Sequence, residues 1–346
     1  MAMMKIILYL IVIISSLTVE NSSSQVLAFD KIKFFQDTSI VHATITTDIG
    51  KIVRKKEKEG LEFPANFSII LSDGNTIEEP IILSVRGHFR REKCFLPPLT
   101  VDFKDKKASV LKPLGSLKLV SQCYTSEIGE KYLLSEFLVY KMYNLLTDMS
   151  FRVRLLNLKL VDSSDRKKPI TEYAFLMEDI KNLAKRNNCT YLKSKVDPRN
   201  TNDYQMTMAA VFEYMIGNTD FGVFANHNTR LLHSNTDSSN RPFVVPYDFD
   251  FSGFVNTDYS IPDATLDISN VRTRLYRGFR EPPEVVNAVV AVFKKQKDSI
   301  YALINNFNLL SSKSKNELTS YLDDFFKIIN NPAKVKYTFI ENARTE

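Results

Sequence analysis

Between residues 38 and 121 apolar and polar positions alternate with the two-residue period of half-buried strands. Val41, Ala43 and Ile45 alternate with polar neighbours, and Phe67 to Leu71 leads into the turn Ser72-Asp73-Gly74-Asn75. Ile77 to Val85 follows, and then Leu99, Val101 and Phe103 alternate with Thr100, Asp102 and Lys104. Leu117 to Val120 predicts a short strand with Lys118 facing away from Leu117 and Leu119. Lys51 to Lys58 reads as a basic, solvated connector. Beyond this β-rich part, a helix is expected from about Gly129 to Leu146, carrying Glu136. Arg152 to Val161 and Tyr173 to Met177 predict paired strands around the polar turn Asp162 to Lys168. Ala184 to Asn202 is polar and irregular, with a turn at Asp197-Pro198. Met206 to Ile216 predicts an apolar helix that stops at Gly217, the residue type that best tolerates the left-handed conformation past a helix end. Two short strands, Thr229 to His233 and Phe243 to Pro246, flank a Ser/Asn-rich linker. Val286, Val289, Val290, Phe293, Ile300, Ile304 and Phe307 keep helical spacing. Ser314 to Glu317 is a capping box that opens a last helix, and Asn331-Pro332 stops it.

Composition adds compartment and partners. The chain has 346 residues, 44% of them apolar, and a net charge of +6, enough for one large domain or two lobes with sizeable cores. Residues 1–28 read as a secretory signal: Lys5, the apolar run Ile6 to Ile14, and a Ser-rich segment through Ser24 and Gln25. That run is too short for a permanent span, so a secreted, periplasmic or surface protein without a transmembrane anchor is expected. No basic block interleaved with aromatics suggests a nucleic-acid partner. Three cysteines are too few for a disulfide scaffold. Either Cys94 and Cys123 bridge the flanks of the Arg-rich hairpin, leaving Cys189 over, or all three stay reduced and partly buried.

Candidate chemistry is concentrated between Gly217 and Gly253. A loop carries Asp220, Asn226, His227 and Asn228, and the second short strand delivers Asp248 and Asp250. Clustered carboxylates and amide oxygens suit a hard cation such as Mg²⁺ or Mn²⁺. Turn chemistry alone explains any one of these aspartates, whereas their joint order matches the catalytic Asp, metal Asn and second metal Asp of protein kinases.

The segments Asn218-Thr219-Asp220, Asn226-His227-Asn228 and Val245-Pro246-Tyr247-Asp248-Phe249-Asp250-Phe251-Ser252-Gly253 resemble the CotH kinase family, and more distantly HipA-type kinases. Upstream, Ser84 to Arg91 is similar to that family's Arg-Gly hairpin, Ser116 to Tyr124 to its strand-then-helix segment, and Tyr173 to Asp179 to its hinge strand. The likeness covers about residues 80 to 280. It implies an α+β, bilobal, protein-kinase-like fold: a β-rich N-terminal lobe over 29–190 with one long helix, and a helical C-terminal lobe over 191–346 with the acidic loops. It implies a monomeric, secreted phosphotransferase moving a phosphoryl group from ATP to a hydroxyl of a protein or small molecule. Asp220 would orient or deprotonate that hydroxyl. Asn228 or Asn226, with Asp248 and Asp250, would hold the metal. Lys118 braced by Glu136, with Arg86, Arg90 and Met177, would hold the nucleotide, although Pro97-Pro98 replaces the lysines that the family carries after its hairpin. The four arginines of Asn270 to Arg280 suggest an acidic or phosphorylated partner, or else a solvated face. In a bacterium an exported protein would meet little ATP, so that another donor would serve, or two other functions compete: a non-catalytic surface or adhesion module, and a metal-dependent phosphoester hydrolase using Asp220, His227, Asp248 and Asp250.

Overall fold

The computed structural model describes residues 33–71, 74–103 and 109–345. The expected signal segment, Ser72, Asp73 and Lys104 lie outside the described residues. Five strands lie in the periodic stretch, β1 (Val41–Thr47), β2 (Glu62–Ile70), β3 (Thr76–Val85), β4 (Leu99–Asp102) and β5 (Ser116–Val120), and two more, β6 (Val153–Asp162) and β7 (Ile170–Met177), where paired strands are expected around the polar turn.

Their assembly corrects the kinase-like, bilobal expectation. The seven strands close into one barrel in the order β1-β2-β3-β4-β5-β7-β6. Closure depends on β1, which pairs antiparallel with β2 (Ala43↔Ile69) and parallel with β6 (Val41↔Leu156 to Thr47↔Asp162). Alternation identifies which face of a strand is buried but not which strand it meets. Only the coarse description, mixed α and β, survives.

By backbone proximity the chain forms two compact units. One comprises the residues up to Leu119 with Arg154–Thr171, and the other Val120–Val153 with Glu172–Glu346. In the first, Ile45, Phe67, Ile69, Leu83, Val101, Leu117 and Leu158 are fully buried, and the Phe67 and Phe103 rings meet edge to face at 5.4 Å. The Lys51–Lys58 connector is mostly helix: α1 (Ile49–Lys55) is capped by Asp48 and buries Ile49 and Ile52 one turn apart. A second short helix, α2 (Phe89–Lys93), holds Arg90 and Arg91, at the end of the segment likened to an Arg-Gly hairpin. Arg154, almost fully buried, donates to the carbonyls of Phe34 and Asp37, to Asp37 Oδ2 (2.9 Å) and to Ser39 Oγ (3.0 Å), tying residues 34–39 to β6. Cys94 and Cys123 are disulfide-bonded, and Cys189 is free and buried.

The second unit is organised by helices. α3 (Glu127–Leu146) starts at Ser126, whose hydroxyl accepts from Gly129 N, and α5 (Asp203–Ile216) starts at Asn202 and ends at Gly217 with φ 67°. Every residue of α5 from Gln205 to Ile216 is buried, so this helix is surrounded by protein rather than presented to solvent. The segment expected to be irregular instead forms α4 (Ile180–Arg186) and β8 (Cys189–Leu192). β8 pairs with β9 (Thr229–Ser234), which pairs with β10 (Phe243–Pro246) in a three-stranded antiparallel sheet. α6 (Pro283–Asn305), α7 (Ser312–Ile329) and α8 (Pro332–Lys336) complete the unit. The expected capping box is displaced: Ser311 caps α7, while Glu317 pairs with Lys131 at 2.6 Å. Among the described residues no helix is long and apolar enough to cross a membrane.

Candidate functional site

The loop after α5 folds into a tight hairpin because Gly222 and His227 exchange both backbone hydrogen bonds, each 2.9 Å. This reversal needs left-handed backbone at Asn226 (φ 52°) and Asn228 (φ 50°), and asparagine tolerates that region better than most residues. It folds His227 and Asn228 back onto Asp220. His227 Nε2 lies 2.7 Å from Asp220 Oδ1. Asn228 Nδ2 donates to Asp220 Oδ2 (2.9 Å) and to its carbonyl (2.8 Å). Both carboxylate oxygens are therefore oriented from outside, while the side chains of Asp220 and His227 remain 38% and 55% exposed.

The second acidic segment meets the first. Tyr247 N donates to the Asn228 carbonyl at 2.9 Å, which brings Asp248 beside the hairpin. Asp248 has φ 67°, and its N–H donates to the hydroxyl of the buried Tyr140 on α3 at 2.9 Å. Burial, with the charges of Glu136 and Asp248, pushes the Tyr140 hydroxyl well above its ordinary range. The His227 pKa is raised, first by its hydrogen bond to Asp220 and further by the charges of Asp220 and Asp248, against the opposing effect of burial.

The remaining expected site residues are carried by several elements of both units. Asp250 is buried and accepts from the Tyr259 hydroxyl at 2.9 Å. Asn226 turns away from Asp220 and donates to the Ser194 carbonyl at 3.3 Å. Lys118, half-buried on β5, and Glu136, 2% exposed on α3, belong to different units. Arg86 spends Nε and Nη2 on the Leu99 and Leu119 carbonyls, 3.1 and 3.2 Å away, within its own sheet. Arg90 is half-buried on α2, and Met177 is buried at the end of β7. Among the described residues no three His, Cys, Asp or Glu side chains converge on a cation position.

Three participants lie outside the sequence-predicted set. Glu213, on α5, is 1% exposed, and burial pushes its carboxyl well above the usual range against the pull of nearby Asn218. Among the described residues neither its carboxyl oxygens nor Asn218 Nδ2 has a hydrogen-bond partner of acceptable geometry. A lone glutamate in an otherwise apolar helical run was the available signal. Tyr140 gave none, because a buried tyrosine in a helix resembles any other core residue. Arg277 is the third. The other arginines of its segment, Arg272 and Arg280 exposed and Arg274 half-buried, are tied to backbone: Arg272 donates to the Gly253 carbonyl, Arg274 to those of Met215 and Tyr321, and Arg280 to those of Ile340 and Glu341. Among the described residues Arg277 hydrogen-bonds through Nη1 alone, to the Thr219 and Phe221 carbonyls either side of Asp220, and lies 5.3 Å over the Phe221 ring.

Asp220, His227 and Arg277 share a cavity of about 440 Å³ with Asp263, Thr265 and an apolar wall of Phe221, Phe251, Ile261, Pro262 and Leu266. Fold and site thus define a mixed α/β protein whose helical unit presents a carboxylate, oriented by an imidazole and an amide, to a cavity within the size range of small-molecule sites. No protein-family model matches the chain. No curated protein matches it either.

Proposed function

We propose that the chain is a phosphotransferase in which Asp220 accepts the proton of an acceptor hydroxyl in the cavity. The observation that carries this reading is the Asp220 carboxylate, held at Oδ1 by His227 and at Oδ2 by Asn228 while facing that cavity. Orientation matters because phosphoryl transfer needs little covalent help: a carboxylate that fixes the hydroxyl in line, and charge neutralisation at the transferred group, supply most of the rate. The Mg²⁺ of a nucleotide substrate keeps most of its ligands as water and phosphate, and needs only one or two protein carboxylates. Asp248, with Asn228 Oδ1, would hold it. Its charge would neutralise the phosphates.

The test is incubation of the purified mature protein with labelled ATP and Mg²⁺ or Mn²⁺, beside Asp220→Ala and Asp248→Ala. Label incorporated by the wild type and reduced by about 10²-fold or more in Asp220→Ala supports the reading. No incorporation by the wild type, or equal incorporation by both, overturns it. A second reading draws on the 2.7 Å His227–Asp220 contact, since an imidazole oriented by a carboxylate also serves as the base of a hydrolase. It predicts phosphoester turnover without nucleotide, abolished in His227→Gln.

A further inference from the structure

The four arginines of Asn270 to Arg280 look equivalent in sequence, yet the structure separates one from the other three. Arg272 is stacked on the Tyr321 ring at 4.4 Å and bound to Gly253 O, Arg274 sits 3.8 Å over the same ring with Nε and Nη2 on carbonyls, and Arg280 likewise uses Nε and Nη2. Arg277 differs. Nη1 takes both of its hydrogen bonds, and among the described residues Nε and Nη2 take none. That pair forms the edge of a guanidinium that grips a carboxylate or phosphate through two parallel bonds.

Three further observations point outward from this edge. Arg277 lines the cavity that Asp220 and His227 also line. Burial opposes its charge, yet it forms no ion pair among the described residues. The two nearby carboxylates in the cavity are engaged elsewhere: Asp263 Oδ1 accepts from Thr265 N and Oγ1 at 2.8 and 2.7 Å, and Asp220 is held by His227 and Asn228. The charges of Asp220, Asp263 and Glu213 favour this cation from a distance, but none bonds its Nε–Nη2 edge, and a half-buried guanidinium edge beside a cavity of small-molecule size suits an anion from solution.

We infer that the cavity takes a small alcohol bearing its own oxyanion, with the oxyanion gripped by the Nε–Nη2 edge of Arg277 and the hydroxyl turned to Asp220. This rests on the phosphotransferase reading only for the fate of the hydroxyl; the binding of the anion does not depend on it. Carbon atoms between the two groups would lie against Ile261, Pro262 and Leu266. A carboxylate and a phosphate share this chemistry, and probes separate them.

The experiment is equilibrium binding at fixed ionic strength, without nucleotide, of glycerol 2-phosphate, glycerate and glycerol to the whole mature protein. We expect at least one anionic probe to bind about tenfold or more tightly than glycerol, with the preferred probe identifying phosphate or carboxylate. Arg277→Gln should bring that ratio close to one, and Arg277→Lys should leave it between the two. Because Arg277 also braces the Asp220 loop, Ile261→Glu provides a second variant. Ile261 is 76% exposed at the cavity wall, so the fold should tolerate a carboxylate that repels the anionic probes and leaves glycerol unaffected. Equal binding of all three probes by the wild type overturns the inference, as does a ratio that persists in folded Arg277→Gln or in Ile261→Glu. Anion binding without phosphoryl transfer from ATP would refute the phosphotransferase reading and leave this one standing. Transfer to neutral alcohols, indifferent to Arg277, would do the reverse.

Discussion

Two glycines bracket the acidic segment, and Tyr321 of α7 is wedged against both. Gly253 N donates to Gly217 O at 3.0 Å, so the ends of the segment are joined directly. At Gly217 an added Cβ would overlap the Tyr321 hydroxyl and come within 3.3 Å of Tyr321 Cζ and 3.2 Å of Val271 O, at φ 67°. At Gly253 it would overlap Val271 O and lie 2.6 Å from the Tyr321 hydroxyl and 2.8 Å from Arg272 Cα. Gly217→Ala therefore combines a left-handed backbone penalty of about 1–2 kcal/mol with an overpacking cost of about 1–3 kcal/mol. Together these predict a loss of roughly 2–5 kcal/mol, or about 4–20 °C in Tm for a unit of this size. Tyr321→Phe alone gives up only the 3.3 Å bond from the hydroxyl to Arg272 O, worth about 1 kcal/mol. Combined with Gly217→Ala it should return most of the steric part, because the overlapping atom is gone. With Gly253→Ala it should return almost nothing, because Val271 O and Arg272 Cα are backbone and cannot move aside. The chain has no Trp, so melting is followed by far-UV circular dichroism. If Tyr321→Phe rescues both alanine variants equally, or neither, the wedge is not what requires glycine at these positions.

Asn228→Ala removes both amide contacts to Asp220 and puts alanine at φ 50°, so it should lower phosphotransfer from ATP by about tenfold or more and stability by about 1 kcal/mol; an unchanged rate would show that Asp220 needs no such support. Asp37 is held down from its ordinary 3.8 to about 2 by the Ser39 N–H and the Arg154 guanidinium. A depressed carboxyl stabilises the fold above its unfolded value and loses that effect as pH falls from about 4 to 2, here about 1 kcal/mol after allowance for its partial exposure. The Tm of Asp37→Asn should accordingly fall less than that of the wild type across this window, and parallel curves would refute the assignment. Burial raises the Cys189 thiol, and the other two cysteines are disulfide-bonded. Native protein should therefore react slowly with a thiol reagent, and unfolded, unreduced protein should release one thiol per chain; three thiols would exclude the disulfide.

The sequence by itself determined most of the local structure. Two-residue alternation marked β1, β3, β4 and β5, the apolar run ending at Gly217 marked α5, and Asn226, Asn228, Asp248 and Asp250 were legible as residues with no packing role of their own. These signals survive without a structure because period, cap and left-handed turn are properties of neighbours in the chain. What only the tertiary structure decided was pairing. Parallel contact between β1 and β6 closed a barrel where two lobes were expected, and β8 formed in a polar stretch because β9 offered it an edge. One aspartate, Asp248, came to rest beside Asn228, while Asp250 turned to Tyr259. The same holds for the arginines: four equal charges in a row became three tied to distant carbonyls and one that also lines a cavity. The physical reason is that a side chain's partner is set by which distant backbone carbonyls, carboxylates and rings the fold carries to it. Local periodicity contains no term for that distance.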